Sequence, residues 1–158
     1  QAINRSGKTD EPVDFIGTLD DVDHVLAASD VVVITLALTS ATERLLEAAQ
    51  LKEMKPDAIL INVARGEIVD EDDLYAHLIA HPDFTACLEA WWVEPIRHGR
   101  FETAHPFLDL PNVIASPHNS AMTDGALITA AERGAENVLR FLNGETPRFI
   151  AGDDVRMA

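Results

Sequence analysis

Short runs of apolar residues recur along the chain, separated by segments in which apolar and polar residues mix at helical spacing. A run of this length bounded by polar residues predicts a β-strand. Because the runs are apolar throughout instead of alternating with polar residues, they are typical of strands buried on both faces of a sheet. Strands are predicted at 2–4, 30–36, 58–63, 84–89 and 112–116.

Helices are predicted between these strands. A short helix over 19–29 carries several aspartates near its start, where the helix dipole favours negative charge. Ser40–Glu43 has the sequence SATE, the pattern of a capping box. It predicts that the next helix begins there and ends near Pro56.

Two further helices are predicted in the second half of the chain. One begins at Asp70, whose carboxylate can cap the first turn, and the longest follows Thr123 or Asp124 and stops at Gly144. Their apolar stripes are Leu74, Tyr75, Leu78 and Ile79 in the first, and Leu127, Ala131, Ala135, Val138, Leu139 and Leu142 in the second.

The alternation of buried strands with helices predicts an α/β fold with a doubly wound parallel sheet. In such sheets ligands bind just beyond the carboxyl ends of the strands. This rule directs attention to four short segments of the chain: 36–40, 63–67, 89–95 and 116–121.

Composition narrows the possible partners and the compartment. The chain has 158 residues, 27 of them acidic against 12 basic, and a net charge of −15, which argues against binding to nucleic acid. No apolar run approaches the roughly 20 residues of a membrane span, and the start lacks the apolar region of a signal peptide. Together with the single cysteine, Cys87, expected to be an inert buried thiol, this predicts a cytoplasmic protein. The acid-rich, lysine-poor balance suits either an ordinary solvated surface or a high-salt cytoplasm.

The predicted strand ends carry the residues that could do chemistry. Arg65 follows the strand 58–63, Glu89 and Glu94 follow the strand 84–89, and His118 follows the last strand. Arginine holds a planar carboxylate by two parallel hydrogen bonds, and histidine is the commonest general acid–base near neutral pH. These residue types together suit a site that binds a carboxylate-bearing substrate and moves a proton.

Structural roles for the same residues stay open at this point. Arg65 could pair with a nearby acid, Glu67 or Asp70, and a histidine after a strand is often structural. The Glu-Pro pair at 94–95 is most often a turn. Spacing alone therefore does not decide between a catalytic and a structural function.

Three segments carry a resemblance to a known family: AILINVARGEIVDEDDL (58–74), LEAWWVEP (88–95) and HPFLDLPNVIASPHNSAMT (105–123). From about residue 1 to residue 145, the chain resembles the second half of the nucleotide-binding domain of the D-isomer-specific 2-hydroxyacid dehydrogenases. The resemblance implies a Rossmann-like sheet in which the first strand–helix unit is absent. It also implies a partial dinucleotide-binding domain over 1–145 and a tail, 146–158, that returns towards a substrate domain.

The resemblance implies roles for three residues. Arg65 matches the arginine that grips the carboxylate and carbonyl oxygen of a small 2-oxo acid such as glyoxylate or hydroxypyruvate. His118 matches the histidine that gives a proton to the carbonyl as hydride arrives from the nicotinamide. Glu94 matches the acid that pairs with this histidine. The family also implies a homodimer.

The resemblance further implies which residues contact the cofactor, NADP or NAD. They are Asn4, Arg5, Ser6, Leu36, Ala37, Thr39, Val63, Ala64, Glu89 and Ala121. In NAD-specific members an acid that binds the ribose hydroxyls stands where this chain has Asn4, and the cations Arg5 and Lys8 follow. The exchange of an acid for cations favours the 2′-phosphate of NADP, although an ordinary polar turn is the alternative.

Several positions depart from the family pattern. Glu89 stands where the family has an aspartate that meets the nicotinamide carboxamide, Ala37 replaces a common proline, and 119–121 replaces a glycine-containing segment. No GxGxxG motif occurs, so the chain is expected to bind dinucleotide poorly and to turn over little by itself. Two alternatives are a dinucleotide-sensing, corepressor-like protein without turnover and a decayed copy without activity.

Overall fold

The computed structural model describes residues 1–148 and contains two parallel sheets with helices packed against them. The strands are β1 (Ala2–Ile3), β2 (Ile16–Gly17), β3 (Val31–Ile34), β4 (Ile59–Asn62), β5 (Thr85–Leu88) and β6 (Val113–Ala115). The helices are α1 (Val22–Ala28), α2 (Ala48–Glu53), α3 (Glu71–Ala80), α4 (Pro95–His98) and α5 (Ala126–Leu142). The predicted parallel α/β fold is therefore confirmed. Most of the predicted tail, 149–158, lies outside the described residues.

The larger sheet sets the geometry of the strand ends. Its four strands are all parallel, in the order β3-β4-β5-β6. The register pairs Ile34 with Asn62, Asn62 with Leu88, and Leu88 with Ala115. The last residues of the four strands are thus level, and the segments that follow them emerge at one edge. The smaller sheet joins β1 to β2, a strand that no apolar run predicted because only two consecutive apolar residues, Phe15 and Ile16, directly precede Gly17.

The main core lies on one face of the larger sheet. Leu60 and Ala86 are fully buried there, and they belong to the same apolar cluster as residues of α1, α2 and α3. The prediction that the strands are buried on both faces is wrong within residues 1–148. Four strand residues that point to the other face stay exposed: Val31 (49%), Val33 (53%), Ile59 (37%) and Ile114 (63%). No described helix covers these side chains.

The helix predicted to begin at Ser40–Glu43 is also wrong. Residues 40–44 form turns, and α2 begins only at Ala48. The hydroxyl of Thr42 donates to the carbonyl of Ala37 at 2.7 Å and accepts from the amide of Thr39 at 2.9 Å. The Thr42 hydroxyl thus closes the loop after β3, and Arg44, with φ +54°, leaves the helical conformation before α2 begins.

The helix predicted at Asp70 is confirmed, but its buried face differs from the prediction. The Asp70 carboxylate accepts from the amide of Asp73 at 2.9 Å, as a helix cap does. Leu74 and Leu78 are buried as expected, whereas Ile79 is 57% exposed. His77 takes the predicted place of Ile79 in the core, with 7% of its surface exposed.

The burial of His77 predicts a pH-dependent stability. Burial, with a smaller contribution from His81, lowers the pKa of His77 from 6.5 to about 4. As pH falls below 6.5, the unfolded chain takes up this proton before the folded chain does, so the free energy of unfolding falls between pH 6.5 and pH 4. We expect His77 to account for about 2 kcal/mol of that loss.

Chemical unfolding of the wild type and His77→Phe over pH 4–8 checks this expectation. The free energy of unfolding should fall less below pH 6.5 in the variant than in the wild type. The part of the decrease that comes from titrating carboxylates should be the same in both proteins. Parallel pH profiles for the two proteins would show that His77 does not drive the effect.

The last helix begins later than predicted and stands apart from the core. Gly125, with φ +80°, precedes its first residue, Ala126, so neither Thr123 nor Asp124 caps it. It ends at Leu142, and Gly144 follows with φ +76°, as predicted. None of its residues is buried, so its apolar stripe has no partner within residues 1–148. Across that same range, no helix combines the length and the apolar character needed to cross a membrane.

Candidate active site

The candidate site begins with the turn that places Arg65 at the sheet edge. Asn62 ends β4 and is 1% exposed. Its side-chain oxygen accepts from the amide of Ala64 at 3.0 Å, and its nitrogen donates to the carbonyl of Arg65 at 2.8 Å. Sequence patterns did not predict this function of Asn62. The signal was present, since an amide side chain closes a strand that is otherwise apolar.

Arg65 is half-buried and is not engaged with the acids proposed as structural partners. Its Nη1 donates to the carbonyl of Ala64 at 2.7 Å. Asp70 instead pairs with Arg44 at 2.7 Å, and Glu67 pairs with Arg97. Among the described residues, no carboxylate forms a salt bridge with the Arg65 guanidinium. The alternative that Arg65 pairs with Glu67 or Asp70 is therefore wrong among the described residues.

His118 and Glu94 come together although 24 residues separate them. The ring Nδ1 of His118 lies 2.8 Å from both carboxylate oxygens of Glu94. The Glu94 side chain is 8% exposed and also accepts from the amide of Trp91 at 2.7 Å. With Nδ1–H donated to the carboxylate, Nε2 is the ring nitrogen that can exchange a proton with a ligand. This carboxylate–histidine pair is the arrangement of a general acid–base.

Glu89 occupies a buried position beside this pair. It is 7% exposed, its Oε2 accepts from the hydroxyl of Ser116, and its Oε1 accepts from the amide of Ser120 at 2.6 Å. The Ser120 amide holds the pKa of Glu89 below its ordinary value, and burial partly opposes this effect. Glu89 is therefore ionised at neutral pH. Its two oxygens contact residues on either side of His118.

Gly66 allows the Arg65 turn to approach the segment after β5. A Cβ built on Gly66 would lie 2.5 Å from the amide nitrogen of Trp92 and 2.7 Å from the carbonyl oxygen of Trp91. Both atoms belong to the backbone, so an added methyl group would have to push the two loops apart. Arg65 and Glu94 lie on these loops.

Gly66→Ala is therefore expected to lower the free energy of unfolding by about 3 kcal/mol. Chemical denaturation of the purified chain measures this loss. Gly134→Ala is the matched control, because Gly134 lies within α5 and an added Cβ would contact nothing within 4 Å. The control should be neutral or stabilising by up to about 1 kcal/mol. Equal stability of the two variants would mean that the loops can separate freely.

Other predicted cofactor residues lie along the same sheet edge. Leu36, Ala37 and Thr39 follow β3, and Thr39 is held by its bonds to Thr42. Val63 and Ala64 follow β4, and Ala121 follows β6. Val63 is 43% exposed, Ala64 is buried, and Ala121 is exposed beyond His118. Cys87 is half-buried in β5, and burial raises the pKa of its thiol, as expected for an inert cysteine.

Asn4, Arg5 and Ser6 follow β1 in the smaller sheet. The side-chain oxygen of Asn4 accepts from the amides of Ser6 at 3.0 Å and Gly7 at 2.8 Å, and its nitrogen donates to the carbonyl of Lys8 at 2.8 Å. Asn4 thus builds a tight turn on which Arg5 and Ser6 are exposed. Both the predicted phosphate site and the alternative of a polar turn are compatible with this geometry.

Comparison with known proteins identifies the family. Residues 1–120 match the model of the D-isomer specific 2-hydroxyacid dehydrogenase NAD binding domain. Over 125 residues, 79% of this chain, the sequence is 41% identical to glyoxylate/hydroxypyruvate reductase B of Pectobacterium carotovorum. Over 141 residues it is 33% identical to the human glyoxylate reductase/hydroxypyruvate reductase. The chain belongs to the D-isomer specific 2-hydroxyacid dehydrogenase family, which confirms the resemblance. It spans 38% and 42% of the lengths of these two relatives.

Solved structures agree with this assignment. A D-isomer specific 2-hydroxyacid dehydrogenase of Xanthobacter autotrophicus, in complex with NADPH and MES, superposes with a TM-score of 0.76 at 30% identity. The match covers 92% of this chain and 58% of that one. D-lactate dehydrogenase of Lactobacillus jensenii with NAD+ gives a TM-score of 0.68 at 29% identity, covering 87% and 44%.

Proposed function

We propose that this chain is the part of an NAD(P)-dependent 2-hydroxyacid dehydrogenase that binds the substrate carboxylate and moves the proton. The observation that carries the proposal is the buried Glu94 carboxylate on Nδ1 of His118, at the same sheet edge as Arg65. The substrate class is a small 2-oxo acid, such as glyoxylate or hydroxypyruvate. The names of the relatives from Pectobacterium and from humans support that class.

Each residue has a chemical task in this proposal. The guanidinium of Arg65 binds the carboxylate of the 2-oxo acid and polarises its carbonyl oxygen. The Nε2 of His118 gives a proton to that oxygen in reduction and takes it back in oxidation. Glu94 keeps the ring in place and stabilises its protonated form. A bound nicotinamide cofactor supplies the hydride, and the strand-end segments 36–39 and 63–64 would lie against it.

Activity in this proposal needs polypeptide that the relatives have beyond the matched region. The 158 residues contain no glycine-rich loop to hold the pyrophosphate, so the chain alone should bind dinucleotide weakly and turn over little. The test compares glyoxylate and hydroxypyruvate reduction by the 158-residue chain and by a protein that includes the upstream coding region. Saturable turnover only in the longer protein is expected.

Three other outcomes are possible, and each has a distinct meaning. Saturable turnover by the short chain would overturn the requirement for further polypeptide. Cofactor binding without turnover in the longer protein would favour a dinucleotide-sensing protein, and neither binding nor turnover would favour a decayed copy. Gel filtration of the longer protein tests the homodimer, which we propose by analogy with the family, as we do a cytoplasmic location.

NADP is the proposed cofactor, since Arg5 and Lys8 are exposed on the turn after β1, next to Asn4, which stands where NAD-specific members have an acid. In the intact enzyme, Arg5→Asp is expected to lower kcat/KM for NADPH by about 10- to 100-fold, because a charge-assisted bond is replaced by repulsion. The value for NADH should change by less than about threefold. Arg100→Asp is the control at an exposed arginine on another loop. Equal losses with both cofactors would refute this function of Arg5.

A further inference from the structure

The segment that carries His118 has an unfavourable backbone conformation. His118 has φ +53°, in the left-handed region, and no glycine lies in 116–121 to relax it. A residue with a side chain in this region costs about 1 kcal/mol or more relative to ordinary conformations. Ser120 and its neighbour Asn119 are exposed, so packing does not hold the segment. Specific bonds must therefore stabilise it.

Most of these bonds come from the segment after β5. Glu89 accepts from the Ser116 hydroxyl and from the Ser120 amide, so one buried carboxylate contacts the segment on both sides of His118. The indole Nε1 of Trp91 donates to the carbonyl of Ser116 at 2.9 Å. Glu94 supplies the remaining contact, to the ring of His118.

We propose that Glu89 is a positioning residue that holds 116–120 in the conformation that presents His118, before any cofactor is bound. The catalytic part of this inference rests on the proposed function, whereas the structural part does not. Length is the physical reason for glutamate here. Aspartate is shorter by one carbon–carbon bond, about 1.5 Å, and would not reach the Ser116 hydroxyl and the Ser120 amide together.

Charge also favours this function of Glu89. Its pKa lies below the ordinary value chiefly because of the Ser120 amide, with further contributions from the Ser120 side chain, His118 and the Asn119 amide. Among residues 1–148, Glu89 and Glu94 are two charged groups that interact with His118, and both lie after β5. Such donors fix the position of the carboxylate, and the carboxylate in turn fixes the position of the donor groups.

The first test uses the 158-residue chain without cofactor. Hydrogen exchange by NMR should show the Ser120 amide exchanging about tenfold faster in Glu89→Asp than in the wild type, since its bond is lost. Glutamine has the same length as glutamate, so Glu89→Gln should keep the bond to the Ser120 amide better than Glu89→Asp does. Amides of β5 and β6 should change by less than about twofold, which separates loop order from general stability. Ser116→Ala removes the hydroxyl that donates to the other carboxylate oxygen of Glu89, and its effect on Ser120 exchange is measured in the same way.

The matched control is Glu53→Asp, the same shortening at an exposed position on α2. It should leave the Ser120 amide unchanged. If Ser120 exchange is also unchanged in Glu89→Asp, Glu89 does not position the segment and the inference is overturned, whether or not the longer protein has activity.

The second test uses the intact enzyme. Glu89→Asp should lower kcat by about tenfold while the KM for NADPH stays within about twofold, because the proton donor is misplaced and the cofactor is still bound. A raised KM for NADPH with an unchanged kcat would mean that Glu89 only contacts the cofactor, and it would overturn the inference. Absence of turnover in the wild-type intact protein would overturn the proposed function and leave the exchange result standing.

Discussion

Replacing His118 by asparagine in the intact enzyme is expected to lower kcat for 2-oxo acid reduction by about 10²- to 10⁴-fold. The variant keeps a polar side chain that can bond to Glu94 but has no group that exchanges a proton near neutral pH. Asparagine also tolerates the left-handed conformation of this position, φ +53°, so the backbone need not change. Steady-state kinetics with glyoxylate and NADPH give the measurement.

A stability measurement and a control variant distinguish loss of the proton donor from loss of the folded structure. His118→Asn should unfold within a few degrees of the wild type, since asparagine can keep a bond to Glu94 and tolerates this backbone conformation. His24→Asn, at an exposed histidine of α1, should leave kcat unchanged. A fall in kcat of less than about threefold in His118→Asn would show that another group supplies the proton.

The second large effect is expected at Arg65. Arg65→Gln should lower kcat/KM for the 2-oxo acid by about 10- to 100-fold, because a charge-assisted bond to the substrate carboxylate is replaced by a neutral one. Arg65→Lys should lie between the variant and the wild type, since lysine keeps the charge but lacks the planar pair of donors. The KM for the cofactor should change little in both variants, because the guanidinium faces the substrate in this proposal.

Stability measurements test whether Arg65→Gln loses activity only because the variant is less stable. The only bond of the Arg65 side chain recorded within residues 1–148 goes to the neighbouring carbonyl of Ala64, so its removal should cost under about 1 kcal/mol. Arg100→Gln, at an exposed arginine paired with Glu102, is the control for removing a positive charge. An unchanged kcat/KM in Arg65→Gln would mean that the substrate carboxylate is bound elsewhere.

Local features of the chain were predictable because their causes lie within a few residues. The apolar runs gave the correct strands β3, β4, β5 and β6, and Asp70 caps its helix as a carboxylate at that position should. The SATE segment shows the limit of local patterns. Its Thr42 hydroxyl bonds to the loop after β3, and the amide of Arg44 donates to the carbonyl of Glu67, so a tertiary contact takes the place of the predicted helix start.

The residues of the candidate site were predicted, and so was the pairing of Glu94 with His118, but the other contacts of the site were not. The order of the strands along the chain, with the rule for strand ends, pointed to Arg65, Glu94 and His118. The contacts of Glu89 with Ser116 and Ser120 were not predictable, since they join residues 27 and 31 positions apart. The same is true of the close approach of Gly66 to the backbone of Trp91.

The sequence by itself determined the family, the parallel α/β fold and the types of residue at the strand ends, because these depend on local apolar periodicity and on short motifs. The resemblance also predicted the pairing of Glu94 with His118, whereas only the tertiary structure decided which acids pair with which arginines. Arg44 pairs with Asp70 and Arg97 pairs with Glu67, so neither of these acids pairs with Arg65. The physical reason is that hydrogen bonds and ion pairs act over about 3–4 Å, and only the register of the parallel strands brings such distant residues that close.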